Sequence, residues 1–361
     1  MRRLRFAALV TAAALFTASA FAVNYAVGTC QPNLTSYTTI SQAVSSVPSG
    51  SVIEVCPGSY PEQIVITQPL TLEGVPGATT DAVITVPAGG LTQSLYFDFV
   101  GSVTYQLLVN ATGPVNITNL AVDGSNGAGR GYVAGIVYRD TAGTVNRVAV
   151  HNQTGGGLGI GIFAIGSLGT PQTVTIENSV VRSFDGVGVF AISGDGGLGL
   201  LTANILTNII NGSAGTNTVG ISYGWAGGTG QSNLISDAGY GVVLSSSSAN
   251  FIGNTIESIF YGAKINGGSA AFTSNKIDAN QSYGVYLQGP GSNSVVQANK
   301  IANSSTAIDG CDMGFGFGPA SGFTVTGNAI TDASVGMQMP SGNTTSPNTY
   351  YVTFTPTSPC P

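Results

Sequence analysis

Four side chains able to move or hold charge lie within one stretch of this chain: Asp123, His151, Arg182 and Asp185. A carboxylate or imidazole beside a guanidinium can remove a proton next to a carboxylate and stabilise the charge that develops. A pair of carboxylates can instead flank a glycosidic bond. His151 is the only histidine, and the arginines beyond residue 5, namely Arg130, Arg139, Arg147 and Arg182, all fall between residues 130 and 182. Counted from Asn119 and Asn178, Asp123 and Arg182 hold the fourth position; His151 holds the fifth after Asn146. Stacked coils therefore set Asp123, His151 and Arg182 along one outer edge, spanning ~10 Å, with Asp185 on the following turn. The plainer alternative is that Asp-Gly at Asp123, Asp185 and Asp309 is turn chemistry and that surface Arg–Asp contacts are solvated.

Phe163 and Phe190 fall at outward strand positions, and Trp225 is the only tryptophan, in the loop Tyr223-Gly224-Trp225-Ala226-Gly227-Gly228. With Arg147 they are the candidate ligand-contacting residues, since aromatic faces beside a polar groove suit carbohydrate. The alternative is that long insertions fold back over these rings.

Positioning these groups falls to a repeat. Nine asparagines, Asn119, Asn146, Asn178, Asn204, Asn233, Asn254, Asn275, Asn299 and Asn328, each precede an apolar residue by two, at intervals from 21 to 32 residues. Units too short to bury their own apolar face must stack as a solenoid. Each unit also carries a glycine followed by alternating apolar residues, as in Gly241-Val242-Val243-Leu244, the period of a strand with one buried face. Inward asparagines of stacked coils are expected to bond one another as a ladder. The competing reading is that asparagine merely tolerates a left-handed turn. Tyr240, Tyr261 and Tyr283 precede the glycine in consecutive units and should stack as a second, aromatic ladder. Upstream, Ile40, Ala43, Val44 and Val47 lie at helical spacing, ended by Pro48 and Gly50, and would cap the open end of the stack.

This pattern, with the phrase Val55-Cys56-Pro57-Gly58-Ser59-Tyr60-Pro61-Glu62, resembles the right-handed parallel β-helix proteins of the pectin-lyase-like superfamily over roughly residues 35–345. The phrase is similar to the start of pectin methylesterases and of periplasmic β-helix proteins of the copper-maturation type. The resemblance implies fold rather than reaction, because this architecture hosts lyases, hydrolases, esterases, epimerases, adhesins and non-enzymes. The catalytic phrases of the methylesterases, galacturonan hydrolases and alginate epimerases are absent, as is the calcium-binding nonapeptide, so no family residue carries over.

Arg2, Arg3 and Arg5 followed by the apolar stretch 6–16 and Ala20-Phe21-Ala22 read as a signal peptide over residues 1–22. Without it, seven basic residues face sixteen acidic ones, a net charge of −9 that disfavours a nucleic-acid partner. No later stretch suits a membrane span, and the mature chain is expected in a secreted or periplasmic location. Four cysteines in such a compartment read as disulfides; of three possible pairings, Cys30–Cys56 and Cys311–Cys360 would close the two ends. No metal site or cofactor is expected; the carboxylates of Asp309 and Asp312 are the only suggestion of calcium.

The sequence thus predicts an all-β, right-handed parallel β-helix solenoid with a short N-terminal capping helix. Residues 23–361 form one domain: a capping segment at about 30–60, coils at about 61–345 and a tail at 346–361, with a groove formed by insertions between 119 and 233. Its expected partner is an extracellular polysaccharide, for binding with or without processing. A lyase or hydrolase acting on uronate-containing glycans and a non-catalytic structural or adhesive surface protein are the alternatives.

Overall fold

The computed structural model describes residues 23–360 apart from 78–80, 98–99, 126, 128–130, 156–157, 168, 195–199, 280–281 and 312–316. The expected signal peptide lies outside the described residues. Each coil contributes three strands, seen in full where Val115–Thr118, Ala121–Asp123 and Tyr132–Arg139 follow one another. First strands stack into a 13-stranded parallel sheet, while second and third strands form a 21-stranded one. The chain is an all-β, right-handed parallel β-helix. Inward residues of all three strands build one apolar core, from Val27 near the N-terminal end to Met337 near the other. Its driving force is the burial of alternate Val, Ile and Leu side chains that no single coil could remove from water.

The helix Ile40–Ser46 sits over the first coils, with Thr39 accepting from the Gln42 amide. Glu62 accepts from the amides of Ile40 and Ser41 at 2.8 and 2.7 Å, satisfying donors that a helix start leaves open. Tyr60 donates to the Cys56 carbonyl at 2.7 Å, and Cys56 is bonded to Cys30. The Val55-to-Glu62 phrase is therefore a clasp for the cap. Its Gly58–Pro61 portion is a strand paired with Ala82–Thr85. Cys311–Cys360 forms the second expected disulfide.

The amide ladder exists at the expected residues from Asn233 onward but not at the four upstream of it. It runs Asn208, Asn233, Asn254, Asn275, Asn299, Asn328 and Asn348, each Nδ2 donating to the next Oδ1 at 2.9–3.0 Å. Asn119, Asn146, Asn178 and Asn204 lie outside it. Asn119 and Asn178 occupy the corner residue one position earlier, where Asn119, Arg147, Asn178, Thr207, Ser232, Ser274 and Ala298 all take φ between 50° and 56°. Asn204 faces outward between Thr175 and Thr229. The physical anchor is the buried residue two positions after the ladder site: Ile210 and Ile235 downstream, but Val122, Val150 and Val181 upstream. Counting back from those, upstream coils carry Leu120, Val148 and Ser179 at the ladder site. The plainer reading of asparagine as a left-handed turn residue thus holds for two of the nine, and the ladder for the five from Asn233 onward.

The glycine near the start of the third strands from Gly135 to Gly284 is required by close approach. A Cβ on Gly262 would lie 2.2 Å from Ile277 Cγ2 and 2.5 Å from the Gly284 carbonyl oxygen.

Candidate functional site

Second strands end in a polar column. Asp123, His151, Arg182, Asn211 and Ser236 are paired in register, one per coil, at ~4.8 Å spacing. Asp123 Oδ1 accepts from the Ser125 amide and hydroxyl and from Asn152 Nδ2, at 2.9, 2.7 and 2.9 Å. His151 Nδ1 stands 3.4 Å from the same oxygen and 3.0 Å from Asn152 Nδ2, which suits a ring accepting at Nδ1. Partial burial pushes the Asp123 carboxyl up, but the bonds from Asn152 and Ser125 and the nearby His151 outweigh it and hold it below the usual range. Arg182 is exposed beside His151. Asp185 belongs to the next corner, where its Oδ1 accepts from the amides of Gly155 and Gly159 at 3.0 and 2.6 Å. It fastens loop backbone.

The candidate aromatics separate. Phe163, expected to face solvent, is 0% exposed. The antiparallel hairpin of Ser94–Phe97 and Gly101–Val109 folds over it, with the Phe97 ring edge-on at 5.4 Å. This cover comes from upstream of the expected 119–233 groove, and it makes a second apolar cluster outside the coil with Val103, Leu108, Val137 and Ile160. Phe190 stacks on Phe163 at 5.1 Å and marks the half-buried margin of that cluster. Trp225 is 40% exposed, with φ 50°, at the far end of the third strand from the polar column. Arg147 is exposed at the first corner, lining a cavity of about 190 Å³ with Asp81 and Asn119.

Past Phe190 the same outer face turns polar. Tyr240, Tyr261 and Tyr283 stack at 4.8 and 5.2 Å between centroids, with planes 5° and 15° apart. Lys264, Tyr286 and Asp309 follow one another in the adjacent column, with Lys264 Nζ 5.9 Å from the Tyr286 ring centre. Asp309 is buried and accepts from the Cys311 amide; burial pushes its carboxyl up against that bond. Burial also pushes the Lys264 ammonium down. Tyr261 is raised to about 12 by burial, with its tyrosine neighbours and Asp309 adding to the effect. In the third column, Asn266 Oδ1 and both polar atoms of the Gln288 amide are buried and bond no other side chain or backbone group.

Of this face, sequence reasoning found the tyrosine row and weighed Asp309 as a turn or calcium residue, but missed Lys264, Tyr286, Asn266 and Gln288. The signal was available at the second position after each strand glycine, where Lys264 and Tyr286 replace the Phe163 and Phe190 of earlier coils. Among the described residues no group of three His, Cys, Asp or Glu side chains could hold a metal ion. Asp312, the partner considered for calcium with Asp309, lies outside the described residues.

The family model for the right handed β-helix region matches residues 219–353. The A-module of a mannuronan C-5 epimerase from Azotobacter vinelandii superposes with a TM-score of 0.56 at 14% identity, covering 88% of this chain and 90% of that one. A PL6 alginate lyase solved with a trisaccharide gives 0.57 at 13%, over 92% and 86%. PfbA, a surface adhesin of Streptococcus pneumoniae, gives 0.56 at 12%, over 88% and 86%. A comparison with curated proteins finds no match. At these identities the likeness concerns the fold alone, a right-handed parallel β-helix. No helix among the described residues is long and apolar enough to cross a membrane, and the two disulfides are compatible with a secreted or periplasmic protein.

Proposed function

We propose that the mature chain is exported and binds an extracellular polysaccharide along the outer face of the downstream third strands and the corner beside it. The observation that carries this reading is the tyrosine row with Lys264 next to it. One phenol per coil, ~4.8 Å apart, presents a repeating surface that suits a repeating ligand better than a compact one. The polar column that ends at Ser236 flanks the same corner, four residues before Tyr240. Structural neighbours named as an epimerase of mannuronan, a lyase of alginate and an adhesin support a glycan partner by analogy of fold.

Binding is favoured over turnover because Asp123 and Asp185 each have an oxygen committed to two or more local hydrogen bonds. The test is the mature protein against alginate, pectin and rhamnogalacturonan, measuring retention and unsaturated products together. Retention without product is expected, with Tyr261→Ala plus Tyr283→Ala abolishing it. Undiminished retention by that variant would exclude the face. Product formation would exclude binding alone, and if it survived Arg182→Ala with Asp185→Ala the polar column would be excluded as the catalytic site.

A further inference from the structure

Each second strand turns two residues outward, an early and a late one, around a buried aliphatic. Ile209 and Asn211 flank Ile210, and Leu234 and Ser236 flank Ile235. Among the described residues twelve such strands stack, from Gly58–Pro61 to the start of Thr349–Ser358. The sixth and seventh carry Ile209 and Leu234, which are 47% and 40% exposed. An exposed aliphatic pair thus sits at the midpoint of the stack.

Charge in the late column is divided about the same midpoint. His151 and Arg182 stand on the fourth and fifth strands, Glu257 and Asp278 on the eighth and ninth. Arg182 and Glu257 are exposed, and neither belongs to an ion pair among the described residues. Three strands separate them, ~14 Å, too far for them to pair within one chain.

A two-fold axis laid along the strands, between Ile209 and Leu234, turns this face onto itself with the coils reversed. Ile209 then meets Leu234 of a second copy, Arg182 meets Glu257, and His151 meets Asp278, every contact being made twice. Asn152 donates to His151 Nδ1, which leaves a proton at Nε2 for a carboxylate. Asp278 accepts from Asn303 and keeps lone pairs for that proton. Lys276 and Lys300 come over the small Ala149 and Ala121, at a rim where Asp81 and Arg147 stand together. A copy turned about the solenoid axis instead would set Ile209 on Asn211 and Arg182 on Val180, apolar against polar.

We propose that this face docks a second copy of the chain, antiparallel, about the axis between Ile209 and Leu234. Twelve strands span ~55 Å at a width of ~10 Å, roughly 550 Å² on each copy, the low end for a specific interface. The dimer is therefore a micromolar one. It leaves the tyrosine row on the third strands uncovered and does not depend on the function proposed above.

The experiment is sedimentation velocity of the mature protein at low salt, from about 1 to 100 µM. A monomer–dimer equilibrium is expected, and Leu234→Asp should leave monomer throughout, because the centre of an interface carries most of its energy. Arg182→Glu or Glu257→Arg alone should weaken the dimer roughly tenfold or more, since like charges then meet twice. Combining the two should restore it, which no pairing within one chain would produce. All three positions are exposed, so the core is untouched. Monomer at the highest concentration, or a dimer that survives Leu234→Asp, overturns the face. Failure of the combined variant to recover overturns the antiparallel register.

Discussion

The upstream and downstream halves of this solenoid solve the same corner in different ways. Downstream of Asn208, each coil passes from first to second strand through a left-handed residue and a buried asparagine tied to the coils on both sides. Upstream, Leu120, Val148 and Ser179 stand at that site, and the outer face of the third strands is sealed by a hairpin. Where the ladder runs, the outer column of the third strands turns polar, with Lys264, Tyr286 and Asp309 in place of Phe163 and Phe190. Both halves cover part of that face: Phe163 lies under the hairpin upstream, and Tyr286, Asp309 and Gln288 are buried downstream.

The widest contrast is expected inside the ladder. Asn275→Ala removes bonds to Asn254, Phe251 and Asn299 at once and leaves buried donors and acceptors open, a loss of about 3–5 kcal/mol. Asn178→Ala, at an exposed corner with bonds to Asn146 and Thr207, should cost about 1 kcal/mol or less. Denaturant unfolding of the two variants checks this, and equal losses would break the distinction between halves.

Next is the cover. Phe97→Ala should cost about 3 kcal/mol, near the lower end for a buried phenylalanine, and expose Phe163 to hydrophobic dye. Dye binding unchanged from wild type would mean the hairpin does not seal the upstream face.

The smallest effect sharpens the polar half. Asp309 has its folded carboxyl raised, so the folded state holds its proton more tightly than the unfolded one. Its contribution is fully present below the unfolded carboxylate range and is lost as pH rises through the folded value. Asp309→Asn keeps an acceptor for the Cys311 amide and should raise Tm at neutral pH while leaving acidic Tm near wild type. Melting curves across that window decide it; a lower neutral Tm would show that Asp309 is held by a charge partner.

How much of this was legible depended on whether a feature repeats. The stacked tyrosines could be read from Tyr240, Tyr261 and Tyr283 because each coil carries its own copy at the same offset from glycine. The register of Asp123, His151 and Arg182 followed from the same counting. The ladder was legible only downstream. Upstream, the phrase matched Ala121 and Val180, one residue before the fully buried Val122 and Val181, and spacing alone does not tell these apart.

By itself, then, the sequence determined the winding of the chain, the alternation of inward and outward side chains and the cap. All of these arise from short-range periodicity or from the chain's N-terminal end, while the choice among three cysteine pairings fell to the structure. Tertiary structure alone decided what lies over each outward residue. Phe163 is buried by Phe97, sixty-six positions away, and Lys276 stands beside Lys300 of the next coil. A period of two says which way a side chain points, but burial and charge depend on segments brought in from distant coils.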